Sequence, residues 1–125
     1  MGNFRFFSDA ELVGLKPPLP AMLDMTRGKI DPRIKDPRII LTFTTGGNHC
    51  QHSSHYIGAG VDCGTGHLEM GYERDSYVWA LVKAAFESGF QRIEICPAHV
   101  HLDIGDQILP DGTYPAPILI IGTEA

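Results

Sequence analysis

Two short runs gather the residues best able to do chemistry. The first is Ser53-Ser54-His55-Tyr56-Ile57-Gly58-Ala59-Gly60-Val61-Asp62, and the second is His99-Val100-His101-Leu102-Asp103. His55, Asp62 and His101 form a three-ligand set for a zinc ion: one imidazole, a carboxylate a short distance on, and a second imidazole far along the chain. Three protein ligands on a tetrahedral ion leave one position for water, which marks a catalytic rather than a structural centre. Zinc lowers the pKa of such a water and polarises a carbonyl, so the set suits amide hydrolysis.

In an extended strand, side chains two apart share a face. His99, His101 and Asp103 then point into one site. His99 would lie close to a metal held by His101, as substrate contact or proton carrier. Asp103 is placed to hydrogen-bond and orient an imidazole. The plain alternative is a surface strand with scattered polar side chains. Cys50, Cys63 and Cys96 are odd in number and lack close-paired spacing. They read as reduced core or near-site thiols rather than a disulfide framework. Cys50 and Cys63 flank the first run, so a part as ligand or bridge stays open.

The elements that position these runs follow from local patterns. Ser8-Asp9-Ala10-Glu11 reads as a capping box that starts a short helix, ending before Pro17-Pro18. A second helix is expected over 20–27, with Met22 and Leu23 inward. The stretch 28–38, with Pro32 and Pro37 among charges, reads as a loop. Residues 39–44 are β-branched and aromatic and read as a strand. Residues 46–54 form a polar loop with His49 and His52, and 58–62 a short strand. The best helix is 75–87, where Tyr77, Val78, Leu81, Val82, Ala85 and Phe86 form one stripe and Gly89 a stop. Burial of Leu81 and Phe86 follows from that stripe, and Tyr77 and Trp79 read as core. His67 reads as a loop residue. Runs 92–96 and 99–104 are strand-like around Cys96-Pro97-Ala98, and 118–121 is a late apolar strand. Helices first, then strands interrupted by one long helix, predict an α+β domain with helices packed on a mainly antiparallel sheet.

The chain has 125 residues, enough for a single domain over 1–125. It is 43% hydrophobic, which argues against disorder. With a net charge of -5 and a pI of about 5.6 the sequence shows no basic footprint, which argues against nucleic acid or anionic lipid as main partners. The sequence has no internal repeat, no low-complexity segment and no apolar run of the ~20 residues that span a bilayer. The N-terminus lacks the apolar stretch of a signal peptide, so cytoplasmic synthesis is expected, with any export needing another factor.

The two runs resemble the zinc peptidase family of D-alanyl-D-alanine carboxypeptidases and L-alanyl-D-glutamate endopeptidases of bacteria and their phages. That family carries Ser-x-His-x-x-Gly-x-Ala-x-Asp and, later, a His at the end of a strand. Ser53, His55, Gly58 and Asp62 match in register, with Gly60 where the family has Ala. His101-Leu102-Asp103-Ile104-Gly105 is similar to its His-Val-Asp-Val-Gly. The helix ending near Gly89-Phe90 falls where the family has one, and Phe7-Ser8-Asp9-Ala10-Glu11-Leu12 resembles the opening of its shorter members. The likeness covers residues 7–105.

The resemblance implies His55, Asp62 and His101 as Zn2+ ligands, a small α+β fold shared with the hedgehog signalling domain, and peptidoglycan stem peptides as substrate. Ser53, His49 and His52 become candidate substrate contacts. There are two departures. The family's Ser-Gly-Tyr-Arg before the first ligand is here Thr44-Thr45-Gly46-Gly47-Asn48, without the Arg. The acid that many members carry three residues before the last His is Ala98. The general base is therefore open among His99, Glu94 and Asp103. His99 is preferred because it shares the His101 face and because an ordinary imidazole can exchange a proton at neutral pH. Glu94 lies seven positions from His101, so simple alternation puts it on the other face, unless the Cys96-Pro97 turn undoes that parity. Two other readings compete with hydrolysis: a non-catalytic metal-binding module of the same fold, and a metal-free structural domain such as a phage virion part.

Overall fold

The central strands alternate apolar and polar residues, which gives each of them one apolar face to bury. The structure is a computed structural model that describes residues 4–43, 60–104 and 118–122. The elements are α1 (Leu19–Lys29), β1 (Ile40–Phe43), β2 (Gly60–Gly64), α2 (Tyr72–Glu87), β3 (Arg92–Ile95), β4 (His99–Asp103) and β5 (Ile118–Ile121). The strands form one sheet in the order β1-β2-β4-β3-β5. All neighbouring pairs are antiparallel except β3 with β5. Two helices on a mostly antiparallel sheet make this an α+β fold, as the order of elements predicts. Among the described residues no helix is long and apolar enough to cross a membrane.

One sheet face is apolar. Val61, Cys63, Ile93, Val100 and Leu102 are fully buried and join Leu19 and Leu23 of α1 and Tyr77, Leu81 and Ala84 of α2 in one core cluster. Helix α2 starts three residues before the expected position, with Glu73 and Asp75 in its first turn, where carboxylates complement the helix dipole. It stops at Gly89, whose φ of 95° is left-handed. Phe90 N–H donates to the Ala85 carbonyl and Gly89 N–H to that of Phe86, a Schellman closure. The core stripe is narrower than expected. Tyr77 is buried, and its hydroxyl donates to the Arg38 carbonyl at 2.6 Å. Trp79 and Phe86, read as inward, are 59% and 48% exposed. At ~100° per residue, Phe86 stands about 180° around the helix from Tyr77, so one face cannot hold both.

Two further expectations need correcting. The capping box forms, with Ser8 N–H on Glu11 Oε1 at 2.8 Å and Glu11 N–H on Ser8 Oγ at 3.3 Å, but only turns follow. Gly14 takes a φ of 86° and ends the turn before helix propagation can repay nucleation. The loop before β1 does hold a short repeat: Asp31-Pro32-Arg33 and Asp36-Pro37-Arg38. In each, the Asp accepts from the Arg backbone and guanidinium two residues on. Those Arg side chains hold both carboxyls down to about 2.

Candidate functional site

The second sheet face carries the polar half of the same strands. In β2, alternation turns Asp62 away from the core side occupied by Val61 and Cys63. In β4 it does the same for His99, His101 and Asp103. Register then matters: β2 and β4 pair Asp62 with His101 and Gly64 with His99, and β3 and β4 pair Glu94 with His101. Asp62, His101 and Glu94 thus stand in one row across three strands. All are buried: Asp62 and Glu94 completely, Asp103 at 2%, His101 at 3% and His99 at 7% exposure.

His101 is gripped from both sides. Its Nδ1 is 3.2 Å from Asp62 Oδ1, and its Nε2 is 2.8 Å from Asp103 Oδ2. His99 Nε2 is 3.6 Å from Asp62 Oδ2. Burial disfavours charge on His101, but the Asp103 and Asp62 carboxylates outweigh it and raise the imidazole to about 9. In the metal-free protein the ring is therefore favoured with both protons, donating to both carboxylates, and a metal at Nδ1 would have to displace the proton there.

The donor set fits a metal in its spacing and orientation. Two ligand atoms ~2.0–2.1 Å from a tetrahedral ion stand roughly 3.3 Å apart, close to the Asp62–His101 distance. Asp103 on Nε2 leaves Nδ1 as the nitrogen facing Asp62, the carboxylate–imidazole arrangement that fixes a ligating tautomer. Among the described residues no three His, Cys, Asp or Glu side chains form a complete metal-holding group. His55, the third expected ligand, lies outside the described residues, as do Ser53, His49 and His52.

Glu94 corrects the parity argument. Cys96 N–H donates to the His99 carbonyl at 2.9 Å, so Pro97-Ala98 is a two-residue hairpin loop. Across such a loop, directly opposed residues differ by odd numbers, and opposed residues share a face. Glu94 accordingly sits on the site face, opposite His101. Its carboxylate leans toward the β5 side: a Cβ built on Gly122 would come 3.3 Å from Glu94 Oε2 and 3.0 Å from Cys96 Sγ. Arg92, not singled out in the sequence, shares this face, with Nε 4.0 Å from Asp103 Oδ2. The signal was available, since Arg92 alternates in step with Glu94.

The cysteines divide. Cys63 is free, on the core face, and its thiol is pushed up by burial and then by Asp62, which keeps it inert at neutral pH. Cys96 is disulfide-bonded, with its partner outside the described residues, which corrects the expectation of reduced thiols. Separation along the chain does not report separation in space. His67 lies in the turn before α2, edge-on to Tyr77 at 4.7 Å, with Nε2 3.1 Å from the Asp36 carbonyl, away from the site.

No family model matches the chain, and no curated protein or solved structure does either.

Proposed function

We propose that the chain is a zinc-dependent peptidase acting on the peptide stems of bacterial cell-wall peptidoglycan. The observation that carries the metal half of this reading is the buried cross-strand pair of Asp62 and His101, with Asp103 behind the imidazole. The substrate class rests on the resemblance of the two motifs alone, as does the hedgehog-like form of the fold. His55 completes the ligand set. Zinc, when bound, supplies a Lewis acid for amide hydrolysis. Asp103 holds the His101 ring so that Nδ1 faces Asp62. His99 is the proton carrier, because its Nε2 lies on the Asp62 side of the row, whereas the Glu94 carboxylate leans toward Gly122.

A second reading, a non-catalytic metal-binding module such as a phage structural or binding protein, is favoured by one observation. Every residue of the cluster is 7% exposed or less, and a hydrolytic site needs an open position. Purified protein with one equivalent of zinc, incubated with peptidoglycan, separates the two. Release of stem-peptide fragments that stops on chelation and returns with zinc supports the peptidase. One tightly bound zinc without release supports the module. No stoichiometric metal after extensive dialysis rejects both.

A further inference from the structure

A cleft of about 710 Å³ lies at the far side of the sheet from β5, between the N-terminal segment and β1. Among the described residues β1 is the end strand. The cleft is lined by residues 38–42 on one side and by Arg5, Phe6, Phe7 and Arg27 on the other, with Glu11 at its rim. In a chain of net charge -5, three arginines meet here.

Their carboxylate contacts differ. Arg38 is held by Asp36 at 2.7 Å. Arg5 and Arg27 instead stack on Phe6, their guanidinium carbons 4.9 and 4.6 Å from the ring centroid. Among the described residues neither has a carboxylate partner. Phe6 is itself fixed, its N–H donating to Asp24 Oδ1 at 2.9 Å. Glu11 is turned onto Ser8, whose N–H and hydroxyl donate to its Oε1. Two guanidinium forks are thus pre-positioned on one ring, and the acid at the rim is engaged elsewhere. Such forks match carboxylates in bidentate geometry.

We propose that this cleft binds an extended acidic peptide, which adds as a strand along β1 and places its carboxylates on Arg5 and Arg27. Two features select a peptide over a small anion. An end strand offers main-chain donors and acceptors to an added strand, and β1 spans four residues, Ile40–Phe43. The wall behind the arginines is apolar, with Phe7 and Ile39 each 6% exposed, which suits alternate apolar side chains of such a strand. The arginines occupy the ring of Phe6, which leaves it unavailable for stacking a nucleobase. The inference does not depend on the metal reading.

The test uses the full chain and a labelled hexapeptide of alternating valine and glutamate, followed by fluorescence anisotropy at low salt. Saturable binding is expected, with a loss of about tenfold for Arg5→Gln and again for Arg27→Gln, the scale of one charge-assisted contact. The same peptide N-methylated at alternate residues should also bind at least about tenfold more weakly to the unmodified protein, because a strand needs its N–H groups. Equal binding of a valine–lysine hexapeptide, or unchanged binding by the Arg5→Gln/Arg27→Gln variant, overturns the proposal. So does citrate displacing the peptide at equal concentration, or indifference to N-methylation, since each leaves only an anion site.

Discussion

The two faces of the sheet are equally buried and chemically opposite. On one, Val61, Ile93, Val100 and Leu102 press against the helices; on the other, Asp62 and Asp103 grip His101 from both sides, and Glu94 stands opposite His101 in the register. Apolar burial stabilises by roughly 25 cal/mol per Å² removed from water. Burial of charges must first overcome desolvation, and a buried ion pair adds little net stability compared with an apolar pair of the same size. The first face therefore accounts for folding. The second is a cost that folding carries.

The sharpest break of this contrast is Asp62→Ala. It should abolish hydrolysis and remove at least about half of the bound metal, since a carboxylate ligand is lost. In metal-free protein it should also cost roughly 3–5 kcal/mol, because the His101 charge loses one of its two partners. Retention of one zinc per chain would reject the ligand assignment. On the apolar face, Leu81→Ala should cost roughly 2–5 kcal/mol in urea unfolding. Phe86→Ala, on the opposite side of α2, should cost less than about 1 kcal/mol. Similar losses for the two would mean that the core stripe is drawn wrongly.

Protons give a third probe. The folded pKa of His101, about 9, lies above its ordinary 6.5. Its contribution to the metal-free protein is thus complete below about pH 6.5 and is lost as pH rises through about 9. The loss should be on the order of 3 kcal/mol. Zinc affinity should change in the opposite sense over that window, since the ligand must lose its proton. His101→Gln should flatten the stability profile, and a profile unchanged in that variant would assign the titration elsewhere. The last probe is kinetic. His99→Ala should keep the metal and slow turnover by ~10²-fold, with little change in KM. If Glu94→Ala is inactive with metal bound while His99→Ala is not, Glu94 is the proton carrier.

Much of this arrangement is legible in the sequence, and the gaps have physical reasons. Alternation in 99–103 and the β-branched run 118–121 define their strands, and Gly89 defines the end of α2, because each is a local signal. The turn after Ser8 fails to become a helix although its capping box forms, since a nucleus needs more residues than Gly14 allows. Glu94 is misjudged because counting along the chain ignores the hairpin register. Phe86 is apolar yet half exposed, because its angle on α2 turns it away from the face that Tyr77 buries. The arginine cleft is not legible at all: Arg5, Arg27 and Arg38 are brought together only by the packing of three separate segments.

The distance along the chain between Asp62 and His101, thirty-nine residues, has a kinetic consequence. The β3–β4 hairpin closes over two residues and brings Glu94 to His101 locally. The carboxylate of Asp62 arrives only when β2 docks against β4, after the chain that includes α2 has been folded back. Closing a long loop is entropically costly, and contacts of large sequence separation slow folding. A newly made chain would therefore present His101 to solvent without its Asp62 partner, and the proposed metal capture should appear together with the completed sheet rather than before it.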